Sequence, residues 1–132
     1  GHAGLLTPRD ANNDGTTDTW FQDTNRDGVN DLVVDFGSLK GLENSYVYPH
    51  GLNDTGSAAG VCWHASPVNG LGYQRGGFLW ENGGIQSLQS LTGGTLEFRD
   101  AYAINNARQI ICVMAGGRDN PGLHACILLP TR

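Results

Sequence analysis

The chain has 132 residues and a net charge of −5. This length is enough for one domain with a modest core, or for part of a larger protein. No apolar run approaches the roughly 18 residues of a membrane-spanning helix, so a transmembrane span is excluded. Seven Asp and one Arg fall between residues 10 and 35 and give −6, whereas the rest of the chain carries +1. The acidity therefore belongs to one segment, no basic patch suggests nucleic acid, and we treat residues 1–132 as a single domain.

Residues 10–31 contain one acidic pattern twice, in tandem copies that begin at Asp10 and Asp23. Calcium takes about 6–8 oxygen ligands, and a tight loop supplies them from alternate positions, with glycine at the sixth position to allow the bend. The pattern therefore predicts two calcium ions held by tandem loops. The predicted ligands are Asp10, Asn12, Asp14, the carbonyl of Thr16 and Asp18 for the first ion, and Asp23, Asn25, Asp27, the carbonyl of Val29 and Asp31 for the second. The alternative is a polar linker in which Asp and Asn only favour turns.

The loops are not EF-hands. The bidentate Glu of an EF-hand is replaced by Phe21 and Val34, and no helical apolar pattern flanks either loop. The flanking residues 20–21 are aromatic, residues 32–34 are Leu-Val-Val with two β-branched side chains, and both stretches predict strands. The second loop with its exit, DTNRDGVNDLVV, resembles the calcium hairpins of FG-GAP repeats and, more loosely, thrombospondin type 3 repeats.

An internal repeat follows the acidic segment, with units at about residues 39–90 and 91–130. A second similarity joins residues 77–80 to residues 125–128 at an offset of 48. The positions that recur at an offset of 52 are Leu39 and Leu91, Gly41 and Gly93, Leu52 and Ile104, and Asn53 and Asn105.

The N-terminal segment aligns with the same series. Residues 19–21 and 33–39 match residues 78–80 and 85–91, which predicts a hairpin whose turn is enlarged into the second calcium loop. Trp20 and Trp80 are interpreted as equivalent aromatic positions of the repeat, and both are predicted to lie in the core.

Four segments carry a resemblance to a known family: GLNDTGSAAGVCW, GGFLWENGGIQSLQSLTGG, AYAINNARQIICVM and LHACILLP. They are similar to HAF repeats of bacterial extracellular proteins over about residues 33–130. Gly77, Arg108 and Cys126 depart from that pattern, where Ala, Gly and Phe are usual. The resemblance implies a secreted or cell-surface bacterial β protein, and it supplies no catalytic residues.

The predicted fold is all-β, with about nine antiparallel strands in blade-like repeats of about 50 residues. A closed propeller needs about 4–8 blades, so this chain is a propeller-like fragment, or its strands close as a β-sandwich or barrel. The only stretch without a helix breaker, residues 86–90, is too short to predict a helix.

The three cysteines lack metal-ligand spacing. A hairpin centred near Asp119 would place Cys112 opposite Cys126, which makes a disulfide possible and leaves Cys62 free. The histidines and the carboxylates outside the acidic segment form no catalytic pattern. Trp63 and Tyr73 flank a long loop at residues 64–72, and such a loop on a β scaffold is a candidate ligand-binding site.

These observations predict a calcium-stabilised, non-enzymatic extracellular β-repeat module for adhesion, assembly or binding. Its partner would be an extracellular protein, a glycan or a second copy of the chain. The alternatives are a calcium-dependent carbohydrate-binding module and an accessory domain of a secreted enzyme.

Overall fold

The computed structural model describes residues 2–65, 73–116 and 122–131, with residues 65, 73 and 74 described by their backbone only. These residues form nine β-strands and one helical turn, which confirms the predicted all-β class. The elements are β1 (Gly4–Leu6), β2 (Val33–Asp35), β3 (Tyr46–Leu52), β4 (Ala58–Ala65), β5 (Tyr73–Glu81), β6 (Gly84–Ser87), α1 (Leu88–Leu91), β7 (Phe98–Ile104), β8 (Ile110–Ala115) and β9 (Leu123–Leu128).

The strands form three antiparallel sheets, β1–β2, β3–β4–β5–β6 and β7–β8–β9, and each of the two larger sheets is a simple meander. None of the sheets closes into a barrel within the described residues. One four-stranded and one three-stranded sheet fall into the two predicted repeat units, β3–β6 in the first and β7–β9 in the second.

The β3–β6 sheet is the middle of three layers, because it buries side chains on both faces. On one face Ala59 and Leu79 join the buried cluster that the β7–β9 sheet shares. On the other face Cys62, Phe78 and Trp80 pack against the N-terminal segment. The N-terminal residues that cover this second face are Phe36, Leu39, Ala3, Leu5 and Leu42.

The predicted N-terminal hairpin is wrong in its first strand. Strand β2 pairs with β1, and residues 20–21 form no strand. The Asn30 side chain accepts a hydrogen bond from Gln22 N at 3.0 Å and donates one to Trp20 O at 2.9 Å. These backbone groups are therefore used within the acidic segment and cannot pair with β2.

The prediction that Trp20 lies in the core is also wrong, since 58% of its surface is exposed. Phe36 supplies the aromatic ring that packs against Trp80 in the core. The two rings stack with centroids 4.5 Å apart, and only 4% of Phe36 is exposed. The prediction for Trp80 is confirmed, at 5% exposed.

Candidate calcium loops and aromatic groove

The acidic segment lies between two paired strands. Strands β1 and β2 align Gly4 with Asp35 and Leu6 with Val33. Beyond them, Thr7 N donates to Leu32 O at 2.9 Å, and the backbones of Arg9 and Thr19 form an isolated antiparallel bridge. Residues 10–31 are therefore one long insertion whose two ends are held together by backbone hydrogen bonds.

In the first loop, carboxylates accept hydrogen bonds from the loop's own backbone. Asp10 accepts from Asp14 N at 3.2 Å and from Gly15 N at 2.8 Å, one on each carboxylate oxygen. Asp14 accepts from Thr16 N at 2.8 Å. Asp18, at the end of the loop, accepts from Ala11 N at 3.0 Å, so the ninth position of the pattern reaches back to the second.

The second loop repeats these contacts at the equivalent positions. Asp23 accepts from Asp27 N at 3.1 Å and from Gly28 N at 2.9 Å. Asp27 accepts from Val29 N at 2.8 Å, and Asp31 accepts from Thr24 N at 2.8 Å. The distances between the equivalent pairs of atoms are therefore nearly the same in the two loops.

The backbones of the two loops also match. Gly15 and Gly28 have φ of 88° and 86°, as the bend at the sixth position requires. Asn13 and Arg26, two residues earlier, have φ of 58° and 62°. An Asn tolerates the left-handed region, but an Arg there has no local reason, so Arg26 adopts the conformation that the loop as a whole imposes.

Backbone hydrogen bonds favour the ionised form of the carboxylate that ends each loop. The backbone N–H of Ala11 lowers the pKa of Asp18, and that of Thr24 lowers the pKa of Asp31. The loops differ in side-chain contacts: Asn25 donates its side-chain amide to Asp27 Oδ2 at 2.8 Å in the second loop, and the Thr19 hydroxyl donates to Asp18 Oδ1 at 3.0 Å in the first.

The donor set suits a hard cation, because side-chain and carbonyl oxygens are the ligands that calcium prefers. Within residues 2–65, 73–116 and 122–131, no three His, Cys, Asp or Glu side chains are gathered closely enough to hold a metal ion. The fit to calcium therefore rests on ligand chemistry and on the duplicated loop conformation, not on gathered carboxylates.

Trp63 belongs to an aromatic cluster on the β3–β6 sheet. It is partly buried on β4 opposite Tyr46, with ring centroids 5.8 Å apart, and Tyr46 stacks on Tyr48 at 6.2 Å. Tyr46 and Tyr48 are 49% and 47% exposed. The sequence analysis missed these two as site residues, although their spacing of two along a strand places them on one face. The side chain of Tyr73 and the loop at residues 66–72 lie outside the described residues.

A groove of about 370 Å³ runs beside these rings, lined by Tyr48, His50, Val61, Trp63 and Arg75. Asp100, from β7, is buried next to the groove and lies 3.3 Å from the Arg75 guanidinium. His50 Nδ1 is 3.0 Å from Ala101 O and 3.2 Å from Asp100 Oδ1, and the Asp100 oxygen accepts no hydrogen bond within the described structure. Aromatic faces beside Arg, His and Asp are an arrangement that suits a polyhydroxylated ligand.

Cys112 and Cys126 are direct partners across β8 and β9, and their sulfur atoms are 2.7 Å apart with both thiols free. Burial, and next the neighbouring Cys126, raise the pKa of the Cys112 thiol to about 12. Cys62 is free and buried in the other core cluster. The pair is placed for oxidation to a disulfide, which stays a proposal.

No protein-family model, curated protein or solved structure matches this chain. In the part of the chain that the structure describes, no helix is long and apolar enough to cross a membrane.

Proposed function

We propose that this chain is a calcium-stabilised, non-enzymatic β-repeat module that acts outside the cell in adhesion, assembly or binding. The observation that carries the proposal is the duplicated loop: the same ligand pattern adopts the same left-handed backbone positions and the same backbone-to-carboxylate hydrogen bonds in both copies. A linker that only favours turns has no reason to repeat the left-handed backbone at Arg26.

Calcium would act on stability through the position of the loops. The loop Asp residues follow one another closely from Asp10 to Asp31, and bound calcium removes their mutual repulsion. The insertion joins β1 to β2. Near its two ends, Leu5 and Phe36 pack on the β3–β6 sheet. Ordering the loops therefore also holds the outer layer of the core in place.

Isothermal titration calorimetry tests the ligand assignment. We expect two calcium ions per chain, bound in the range of about 10⁻⁴–10⁻³ M that is typical of extracellular modules. Asp14→Ala should remove the first site and Asp27→Ala the second, because each loses a central carboxylate. Glu97→Ala, which removes a carboxylate outside the loops, is the matched control and should keep both sites. Two sites in both loop variants would refute the assignment.

The resemblance to HAF repeats supports the extracellular location, and no nucleic-acid partner is proposed. Low-affinity calcium sites suit a compartment where the ion is abundant. Secretion is tested by fractionating the producing cells, and a chain confined to the cytoplasm would contradict it.

A second candidate function, calcium-dependent carbohydrate binding, is favoured by the rings of Tyr46, Tyr48 and Trp63 beside Arg75. A glycan array probed with wild-type protein should then give a signal that Trp63→Ala and Tyr48→Ala abolish. Trp20→Ala removes an equally large exposed ring outside the groove and should bind as wild type does. An array without signal, or one that the groove variants leave unchanged, counts against this candidate.

A further inference from the structure

Asp100 of β7 is a buried carboxylate that holds two side chains of the aromatic groove. Only 7% of its side chain is exposed, and the groove beside it is lined by other residues. Its Oδ2 lies 3.3 Å from the Arg75 guanidinium, and its Oδ1 lies 3.2 Å from His50 Nδ1. A buried carboxylate is costly unless charged or donor groups surround it. Arg75 and His50 are therefore held against Asp100.

The surroundings of His50 determine which of its ring nitrogens carries the proton. Nδ1 faces two acceptors, Ala101 O at 3.0 Å and Asp100 Oδ1 at 3.2 Å, so Nδ1 is the N–H of the ring. In the neutral ring the other nitrogen, Nε2, is then the acceptor. The ring also stacks on Tyr102 with centroids 5.8 Å apart and an angle of 11°, which limits its rotation. His50 therefore brings an acceptor of fixed orientation to the groove.

The repeat architecture alone does not explain the groove residues. Trp63 and Arg75 face each other across β4 and β5, and the second unit has Ala115 and Leu123 at the equivalent pair of positions on β8 and β9. The offsets of 52 and 48 found in the sequence relate the two pairs. Two apolar side chains are thus sufficient for this strand pairing in the second unit, and the ring and the guanidinium of the first unit are free to serve a ligand.

We propose that the groove binds a neutral sugar through two neighbouring hydroxyl groups, with Asp100 as a positioning residue. One hydroxyl donates to His50 Nε2, and an N–H of Arg75 donates to the oxygen of the other. The ring of Tyr48, which is 47% exposed, offers a face to the apolar side of the sugar. This inference rests on the second candidate function, carbohydrate binding, and specifies what the groove recognises.

The charges at the groove favour a neutral sugar over an acidic one. Among the described residues that line it, Arg75 carries the one permanent charge, and Asp100 behind it carries the opposite charge. A uronic-acid carboxylate would therefore lie near Asp100 without an unpaired positive charge to offset it. A hydroxyl both donates and accepts, so it satisfies Nε2 of a neutral His50, which a carboxylate cannot do.

NMR tests the tautomer of His50 without any ligand. A long-range ¹H–¹⁵N spectrum distinguishes the protonated from the unprotonated nitrogen of each imidazole, and His50→Phe identifies the His50 signals among the four histidines. We expect the proton on Nδ1 in wild-type protein. In Asp100→Asn the share of this tautomer should fall, because Nδ1 loses its anionic neighbour. A proton on Nε2 in wild type, or an unchanged ring in Asp100→Asn, would overturn the proposal without contradicting carbohydrate binding.

A glycan array in calcium tests the class of ligand. It carries neutral hexose and pentose oligosaccharides beside uronic-acid oligosaccharides, and wild-type protein should bind neutral members only. In titration calorimetry with the strongest of these, His50→Phe and Arg75→Met should each raise the dissociation constant about tenfold or more, because each loses a hydrogen bond to the sugar. Arg99→Met is the matched control and should bind as wild type does. Arg99 is 41% exposed, close to the 42% of Arg75, and pairs with Glu97 outside the groove.

The outcomes separate this inference from the function on which it rests. Binding that Trp63→Ala abolishes but that His50→Phe and Arg75→Met leave unchanged would support a carbohydrate site and overturn the proposed hydroxyl contacts. Binding to uronic-acid oligosaccharides alone would do the same. An array without any signal would overturn both. Circular dichroism establishes that each variant is folded, and His50→Gln replaces His50→Phe in both measurements if the latter does not fold.

Discussion

Arg108 adopts a backbone conformation that its repeat equivalent assigns to glycine. Its φ is 60°, and Gly56, the equivalent position in the first unit, has φ of 82°. The left-handed region costs an L-residue about 1–2 kcal/mol. Arg108 offsets part of this cost through its guanidinium, which bonds both carboxylate oxygens of Glu81, with Nε 3.1 Å from Oε2. The residue therefore joins the second repeat unit to the end of β5 in the first.

Replacing Arg108 in two ways separates these effects. Arg108→Ala keeps the unfavourable φ and loses the ion pair, so it should lower the free energy of unfolding by up to about 1 kcal/mol. Arg108→Gly loses the same ion pair but removes the strain, so its free energy of unfolding should stay within about 0.5 kcal/mol of wild type or exceed it. Urea unfolding measures both. Equal losses in the two variants would show that the backbone at this position carries no strain.

The sequence predicted single residues best where backbone geometry dictates their type. The pattern placed glycine at both sixth positions, and both have left-handed φ. It could not predict Arg26 in the same region, because an Arg there is set by the contacts of the whole loop and not by its own preference. Tyr46 and Tyr48 were visible as strand residues, but only the register of β3 against β4 shows that their rings join Trp63.

At the scale of elements, β3 and β4 approach each other too closely for a side chain at Gly60. A Cβ there would lie 2.0 Å from Tyr48 O and 2.8 Å from Pro49 Cα, at the position where the register of β3 shifts. The pair of strands is held together around this contact, in the middle layer of the fold.

Gly60→Ala should therefore cost about 3 kcal/mol or more in free energy of unfolding, because the backbone of β3 has to move. Gly84→Ala is the control. It also adds a methyl group to a strand of the same sheet, but the nearest heavy atom is 3.9 Å away, and its effect should stay below about 1 kcal/mol. Denaturant unfolding of the two variants gives the comparison, and similar values would contradict the close contact at Gly60.

The buried Cys112 thiol of the β8–β9 hairpin leads us to expect that the reduced protein loses stability at alkaline pH. The size of this loss should depend on whether Cys112 and Cys126 are oxidised. The unfolded Cys112 thiol ionises near its ordinary pKa of 9.0, whereas burial raises the pKa in the folded chain to about 12. The reduced protein should keep this stability below pH 9 and lose it as the pH rises toward 12.

Oxidation provides the control for this prediction. A Cys112–Cys126 disulfide removes the titrating thiol, so the oxidised protein should lose less stability over the same pH range. A count of one free thiol after oxidation, rather than three, would identify the bond. Identical pH profiles for the two forms would contradict the role of Cys112.

The sequence identified elements with strong strand patterns and missed the weakest one. Strands β3–β9 follow β-branched, apolar or aromatic runs between turn residues. Strand β1 has three residues and no pattern of its own, and its partner lies beyond the whole acidic insertion. The pairing of β1 depends on tertiary contacts of Leu5, which local sequence patterns do not show. Residues 19–21, before the second loop, were therefore wrongly predicted as the strand that pairs with β2. The stretch at residues 86–90, which was too short to predict a helix, overlaps the one helical turn, Leu88–Leu91, which Ser87 caps.

Across the whole molecule, equivalent turns of the two repeat units bond to each other. Asn53 Nδ2 donates to Asn105 O at 3.1 Å, Asp54 N donates to Asn106 Oδ1 at 2.9 Å, and Asn106 Nδ2 donates to Asp54 Oδ2 at 2.7 Å. The repeat length was readable from the sequence, since it follows from local spacing. The order of the layers was not, because it depends on which apolar face each strand turns toward a neighbour.

The N-terminal layer is where calcium would act on the whole fold. It covers one face of the middle sheet through Phe36 and Leu39, and the acidic insertion separates its two strands. A stabilised insertion should therefore raise the stability of the molecule and not only of the loops.

A thermal melt with calcium, with magnesium and with chelator tests this central claim most directly. At about ten times a millimolar dissociation constant, two ions add roughly 3 kcal/mol, which corresponds to a Tm rise of about 10 °C for a chain of this size. We predict that rise in calcium and at most a small one in magnesium, which prefers octahedral geometry and keeps its water ligands. A Tm that is the same in calcium and in chelator would contradict the account and leave the acidic segment as a polar insertion without an ion.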